Sequence, residues 1–404
     1  MKVFFVTPKL DFLTSGGTTD EYDLTYRTLQ DLGHEVFVCT THPKANNIPH
    51  KPSYAVIEED VNSRRMLGIQ KGAFRILRKY SNQADIFFVD GQVYLYGVGL
   101  YRLLGGKVPV VGYFNREITA WPGNASYLFP NKKDNLLKKF KKCTRFYFER
   151  YFLMPLTDYI DIIGFANACL MESYRNFRMK INDRCFIFGD PFDYRGLMKK
   201  YGVSEDSYSE RNKKQGPFTL FYSSKMAPGK GFDLVLAAFS KIKNKDNFRL
   251  VLGGDGLEEK FVHKMVQDLH LEPYVELLGW MTKEELYNRF KQADIYVQAH
   301  WRKDLTAMTL MTAMMFGLPS ILPGGGGLEW VARGGALYFK DNDIDDLARK
   351  IEQLGEDYQL REKLSRYCYV RMDEPELNHR SRIAELEKRM KEAVAKANNN
   401  KAAV

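Results

Sequence analysis

The chain has 404 residues, 45 % of them hydrophobic and 14 % aromatic, which is enough apolar material for two cores and too long a chain for one. A charged fraction of 27 % excludes a disordered chain, and the apolar runs fall far short of the roughly 20 residues that a membrane span takes. The net charge of +10 calls for an anionic partner, which nucleic acid, a lipid surface or a phosphorylated substrate would equally satisfy.

Read from the start, Met1 to Pro8 lacks the long apolar stretch and cleavage site of a signal peptide and reads as a first buried strand. Further short apolar runs follow at 35–40, 86–89, 108–114, 159–163 and 185–188, separated by helical stretches such as 18–32. Continuous rather than alternating apolar strands between helices predict a parallel sheet covered on both faces. Gly16 and Gly17 lie between the first strand and a helix opened by Thr18, Thr19, Asp20 and Glu21, so bare amides and a positive helix end meet there. A plain tight turn explains the pair equally well, and no GxGxxG accompanies it to indicate a nicotinamide cofactor. At 131–153 a dense set of lysines shares a helical stretch with aromatics. Such a helix is a candidate for peripheral contact with an anionic membrane; the alternative packs its aromatics into the first domain and leaves its lysines in water. Nucleic acid is not expected, since no recognition module accompanies the charge.

A polar tract at 201–217 reads as a surface segment just past a domain boundary. A second α/β series then begins, with strands at 219–222, 249–253, 274–278, 295–298, 319–322 and 336–339. The first of these runs into Ser223, Ser224, Lys225, Met226, Ala227, Pro228, Gly229, Lys230 and Gly231, which places two lysines five positions apart around a Pro-Gly turn. Both could reach one diphosphate, and both could equally be solvated loop cations. The end of the chain reads as a charged surface helix, about 374–395, with a frayed tail. The expected division is therefore 1–195 and 196–373, two Rossmann-like domains, and 374–404, a helix packing back on the first domain. Two doubly wound domains that face each other would place a shared site in the cleft between them. Five scattered cysteines without a CxxC pair fit a reducing cytoplasm. Seven scattered histidines and the lack of an Asp-x-Asp triplet leave no metal expected, with His263 and His300 read as structural or surface residues.

Three stretches, Val251-Leu252-Gly253-Gly254-Asp255-Gly256, Val275-Glu276-Leu277-Leu278-Gly279-Trp280 and Ala293-Asp294-Ile295-Tyr296-Val297, resemble in order and spacing the second domain of the retaining GT-B glycosyltransferase family 4, the glycosyl transferases group 1. Gly33-His34-Glu35-Val36 and Asp190-Pro191-Phe192-Asp193 are similar to its first-domain and linker elements, so the resemblance spans nearly the whole chain. It implies that Lys225 and Lys230 hold the donor diphosphate, with Gly16, Gly17 and Gly254 nearby. It also implies that Asp304 stands for the acid beside the donor sugar, that the amides around Thr306, Ala307 and Met308 face the phosphates, and that Thr312 takes the place of a second acid on the ribose. Leu305 and Ala307 replace small glycines, so the donor geometry departs from the family's. Asn115 occupies the place of a histidine near the reacting carbon; an amide donates a hydrogen bond but does not trade protons near neutral pH. Asn115, Arg116 and Glu117 are the acceptor-side candidates. The implied activity is sugar transfer from a nucleotide-sugar donor to a glycan or lipid-linked acceptor, without cofactor or metal. The same architecture also serves silent glycan- or partner-binding proteins, and epimerases or phosphorylases.

Overall fold

A computed structural model describes residues 1–13, 17–62, 66–91, 94–115, 136–213, 217–300 and 306–402. They divide into two compact units, one drawn from within Met1–Trp121, Leu136–Phe192 and Pro375–Val404, the other from within Asp193–Glu374.

The first unit is a seven-stranded parallel sheet with helices between its strands. In chain order it comprises β1 (Lys2–Thr7), α1 (Gly17–Asp31), β2 (Glu35–Thr40), β3 (Ala55–Glu58), α2 (Met66–Lys79), β4 (Ile86–Asp90), α3 (Leu95–Leu103) and β5 (Val110–Phe114). After these come α4 (Leu136–Phe148), β6 (Ile162–Phe165), α5 (Ala168–Asn176) and β7 (Cys185–Ile187). The strand order β3-β2-β1-β4-β5-β6-β7 reverses at β1, whose Val3 pairs with Val36 on one side and Ile86 on the other. β1 is apolar on both faces because both are covered: Val3, Phe4, Phe5 and Val6 are all buried.

The second unit repeats the plan with six parallel strands. It comprises α6 (Tyr194–Tyr201), α7 (Ser207–Arg211), β8 (Phe218–Ser223), α8 (Phe232–Lys241), β9 (Phe248–Gly253), α9 (Glu259–Asp268), β10 (Val275–Leu277), α10 (Lys283–Gln292) and β11 (Ile295–Val297). It continues with α11 (Met308–Met315), β12 (Ser320–Pro323), α12 (Gly327–Ala332), β13 (Ala336–Phe339), α13 (Ile344–Glu356) and α14 (Tyr358–Asp373). The order β10-β9-β8-β11-β12-β13 reverses at β8, so a switch point opens between β8 and β11. Local chemistry starts the helices as the sequence directs: Thr282 and Glu285 form a reciprocal capping box at α10, and Asp343 and Asp357 cap α13 and α14.

α15 (His379–Ala402) returns to the first unit, where Ile383, Leu386 and Met390 enter the core at helical spacing. His34 Nε2 lies 2.9 Å from Glu387 Oε1, and Arg382 and Arg389 donate to the carbonyls of Ile187 and Asp183. The frayed ending expected after 395 is corrected: the helix runs through the asparagines to Ala402. The polar tract at 201–217 is not simply surface either. Tyr208 is buried and donates to the Asp294 carbonyl, Arg211 donates to the Ala293 and Phe316 carbonyls, and buried Asn212 accepts from Arg361. Tyr208 and Arg211 satisfy backbone carbonyls just before β11 and at the end of α11. The strand expected at 159–163 begins only at Ile162, because 154–159 wind into a tight helical turn with a proline in its first positions.

Candidate active site

Residues 223–231 leave β8 at the switch point of the second sheet. Lys230 N donates to Ala227 O at 3.1 Å across Pro228 and Gly229, and Gly229 has φ +84°. Proline at the second position and a left-handed glycine at the third make this a type II turn, which explains the Pro-Gly pair. The turn leaves Lys225 exposed and Lys230 half-buried. Tyr222 donates its hydroxyl proton to Lys230 O at 2.6 Å, holding the lysine backbone against the end of its own strand.

The far side of the switch point comes from the residues after β11. Lys230 Nζ lies 3.4 Å from Nε2 of His300, which is buried. An ammonium only donates, so in this pair the imidazole accepts at Nε2. Gly231 has φ +75°, and a methyl group there would lie 1.9 Å from Ala299 O. Only glycine permits this approach, which presses the loop after β8 onto the loop after β11. His300, read from sequence as structural or surface, is thus a neighbour of Lys230; its place two residues after a predicted strand was the available signal.

The loop after β9 supports the lysine loop from the other flank. Gly254 has φ +115° with Ser224 O in the space of its missing side chain, and Met226 N donates to Asp255 O at 2.6 Å. Gly254 thereby packs against Ser224, the residue before Lys225. At the start of α11, Thr306, Ala307 and Met308 are half-buried, and Ala307 O accepts from Leu310 N and Met311 N. The amides before Leu310, at the very start of a helix, are those that a helix leaves without an acceptor of its own. Tyr296 Oη, 2.9 Å from both Thr309 Oγ1 and Gln298 Oε1, ties this helix start to β11. Thr312 is buried and donates to Met308 O at 2.9 Å, so its hydroxyl proton is held within its own helix. Asp304 lies outside the described residues.

In the first unit, Asn115 follows β5 and donates to the Tyr22 hydroxyl at 2.8 Å. Burial raises the Tyr22 phenol well above its ordinary pKa, and the neighbouring Asp90 carboxylate adds to the rise. Asp90, buried at the end of β4, accepts from Thr7 at 3.2 Å, while Tyr113 donates toward Gly189 O and Asp190. Asn115 was a candidate from sequence; Tyr22, Asp90 and Tyr113 near the β1/β4 switch point were not foreseen, because the strand order that gathers them is not written in the sequence. Gly17 is the first residue of α1, whereas Gly16, Arg116 and Glu117 lie outside the described residues. Among the described residues, no group of three or more His, Cys, Asp or Glu could hold a metal ion, and no helix is long and apolar enough to cross a membrane.

Residues 204–371 match the family model for glycosyl transferases group 1. Alpha-monoglucosyldiacylglycerol synthase of Streptococcus pneumoniae is 22 % identical over 333 residues, 78 % of this chain and 70 % of that protein. Sucrose-phosphate synthase from Thermosynechococcus elongatus superposes with a TM-score of 0.73 at 15 % identity, over 98 % of this chain and 99 % of that chain. Anabaena HepE, solved in complex with UDP and glucose, superposes with a TM-score of 0.70 at 15 % identity, over 96 % and 98 %.

Proposed function

We propose, from the premise that this chain is a glycosyltransferase of the GT-B fold with a group 1 domain over residues 204–371, that it moves a sugar from a nucleoside diphosphate donor to a hydroxyl of a glycan, glycolipid or related acceptor, with retention of anomeric configuration. The observation that carries the reading is the switch point of the second sheet. Lys225 and Lys230 stand there on a turn shaped by Pro228 and Gly229, and Lys230 is held against His300. Such a place at the carboxyl ends of parallel strands suits an anionic ligand.

Negative charge grows on the departing diphosphate as the glycosidic bond breaks. Lys225 and Lys230 supply countercharge to it, and the first-turn amides of α11 add oriented dipoles. These interactions strengthen toward the transition state and so accelerate transfer. Asp304 hydrogen-bonds the donor sugar's hydroxyls in this scheme, and Thr312 contacts the ribose through its oxygen lone pairs. Asn115, Arg116 and Glu117 serve the acceptor. No metal is assigned, since the lysines supply the countercharge. The complex of HepE with UDP and glucose supports a nucleotide sugar as donor, and the name of the S. pneumoniae relative supports a lipid-borne acceptor.

The test is a panel of nucleotide sugars ranked by thermal shift, followed by product analysis with the best donor and the anomeric configuration read by NMR. An α-linked product from an α-linked donor is expected. Donor binding without turnover across a broad acceptor panel would replace this reading with that of a silent binding protein.

A further inference from the structure

We infer that the outward face of α4 and the turn after it docks on an anionic lipid bilayer by inserting its apolar side chains, with the basic residues beside them reading the headgroups. The apolar residues of this segment are not spent on the core. Leu136 is 86 % exposed, Phe140 68 % and Phe152 70 %, and Leu137, Phe148 and Tyr151 are exposed as well. At about 100° per residue, Leu136, Phe140 and Phe148 follow one side of the helix. The single π-type turn Glu149–Leu153 carries that side onward, since Phe148 stacks on Phe152 at 5.5 Å and Tyr147 on Tyr151 at 6.3 Å.

The opposite side faces the protein. Phe146 is buried against Phe177 at 4.9 Å, and the buried Glu149 accepts from Arg145 Nε at 2.7 Å. The segment is therefore anchored, and its rotation about its own axis is set by these contacts. Lys141 falls on the flank of the apolar stripe and is exposed, while Arg145, further round, is paired with Glu149. An anchored helix with an exposed apolar stripe and a basic flank matches the in-plane geometry of an interfacial helix, with aromatics at the headgroup boundary and cations toward lipid phosphates. An exposed patch of this kind marks an interaction site. Charge complementarity selects an anionic lipid as its occupant. The inference deepens the reading above only in placing a lipid-borne acceptor within reach, and its test does not depend on turnover.

Full-length protein is floated with vesicles of phosphatidylcholine, with and without phosphatidylglycerol, at low and high salt. Wild type is expected to bind the anionic vesicles. Phe140→Ser with Phe152→Ser should weaken binding at least about tenfold at both salt concentrations, because two exposed rings no longer leave water. Lys141→Gln should weaken binding mainly at low salt, where the lysine is least screened. Nucleoside diphosphate affinity, measured in parallel, should be unchanged in both variants. Its loss in wild type would refute the donor reading and leave this one standing. Wild type that ignores vesicles, or a double-serine variant that binds as wild type does, overturns the inference. So does a wild-type dimer that the serine substitutions dissociate while neither protein binds lipid, which would make the face a contact between copies.

Discussion

Replacing Lys230 with alanine removes the half-buried cation of the switch point and leaves Lys225 in place. Lys230 Nζ sits 3.4 Å from His300 Nε2 on a turn held by the Tyr222 hydroxyl, so little side-chain freedom remains to be lost when a diphosphate binds. A charge-assisted contact from a positioned, partly dehydrated ammonium belongs at the upper end of the usual range, about 2–3 kcal/mol, or roughly 30- to 150-fold in Kd. Lys225 is exposed, its ammonium is screened by water and salt, and Lys225→Ala should cost less than about tenfold. Titration calorimetry with a panel of nucleoside diphosphates at two salt concentrations reads both values. The Lys225 effect should shrink with salt while most of the Lys230 effect persists. Unchanged affinity in both variants refutes the donor site, and a larger loss at Lys225 than at Lys230 refutes the role given to burial and His300.

Other expectations test separate links. Gly231→Ala, with φ +75° and Ala299 O at 1.9 Å from the new methyl, should destabilise the second unit by roughly 3 kcal/mol or more; Gly279→Ala, with φ +66° in open space, should cost only about 1–2 kcal/mol. Chemical denaturation followed on the second unit compares them, and equal losses would show that the two loops do not press together. Turnover should persist in excess chelator, and activity that disappears and returns with magnesium or manganese would reveal a metal site. Asp304→Asn should lower kcat far more than it weakens nucleotide binding, which steady-state kinetics beside calorimetry decides; an equal loss in both would place Asp304 on the nucleotide rather than on the sugar.

The strands of both units were legible because a parallel sheet covered on two faces needs unbroken apolar runs, and β2 and β13 fall where those runs do. β3 escaped notice because the edge strand Ala55–Glu58 is only half-covered and carries little apolar signal. The Pro-Gly turn between the lysines was legible for a local reason, the dihedral angles that those two residues favour. Burial was less so: Tyr208 and Asn212 sit in a tract of polar composition, yet one side chain with a suitable reach suffices to seal a strand end.

What the sequence determined by itself is therefore what depends on near neighbours: the positions of most strands, the turn at Pro228, and the presence of a mixed basic and aromatic segment at 131–153. Only the tertiary structure decided which loops meet and which faces are covered. Lys230 and His300 are 70 positions apart and come together because β11 lies next to β8, an order that no local pattern encodes. The aromatics of α4 and the turn after it likewise share one composition but not one fate. Phe146 turns inward to Phe177 while Phe140 and Phe152 stay in water, because packing sets the rotation of the helix and the hydrophobic effect is blind to direction.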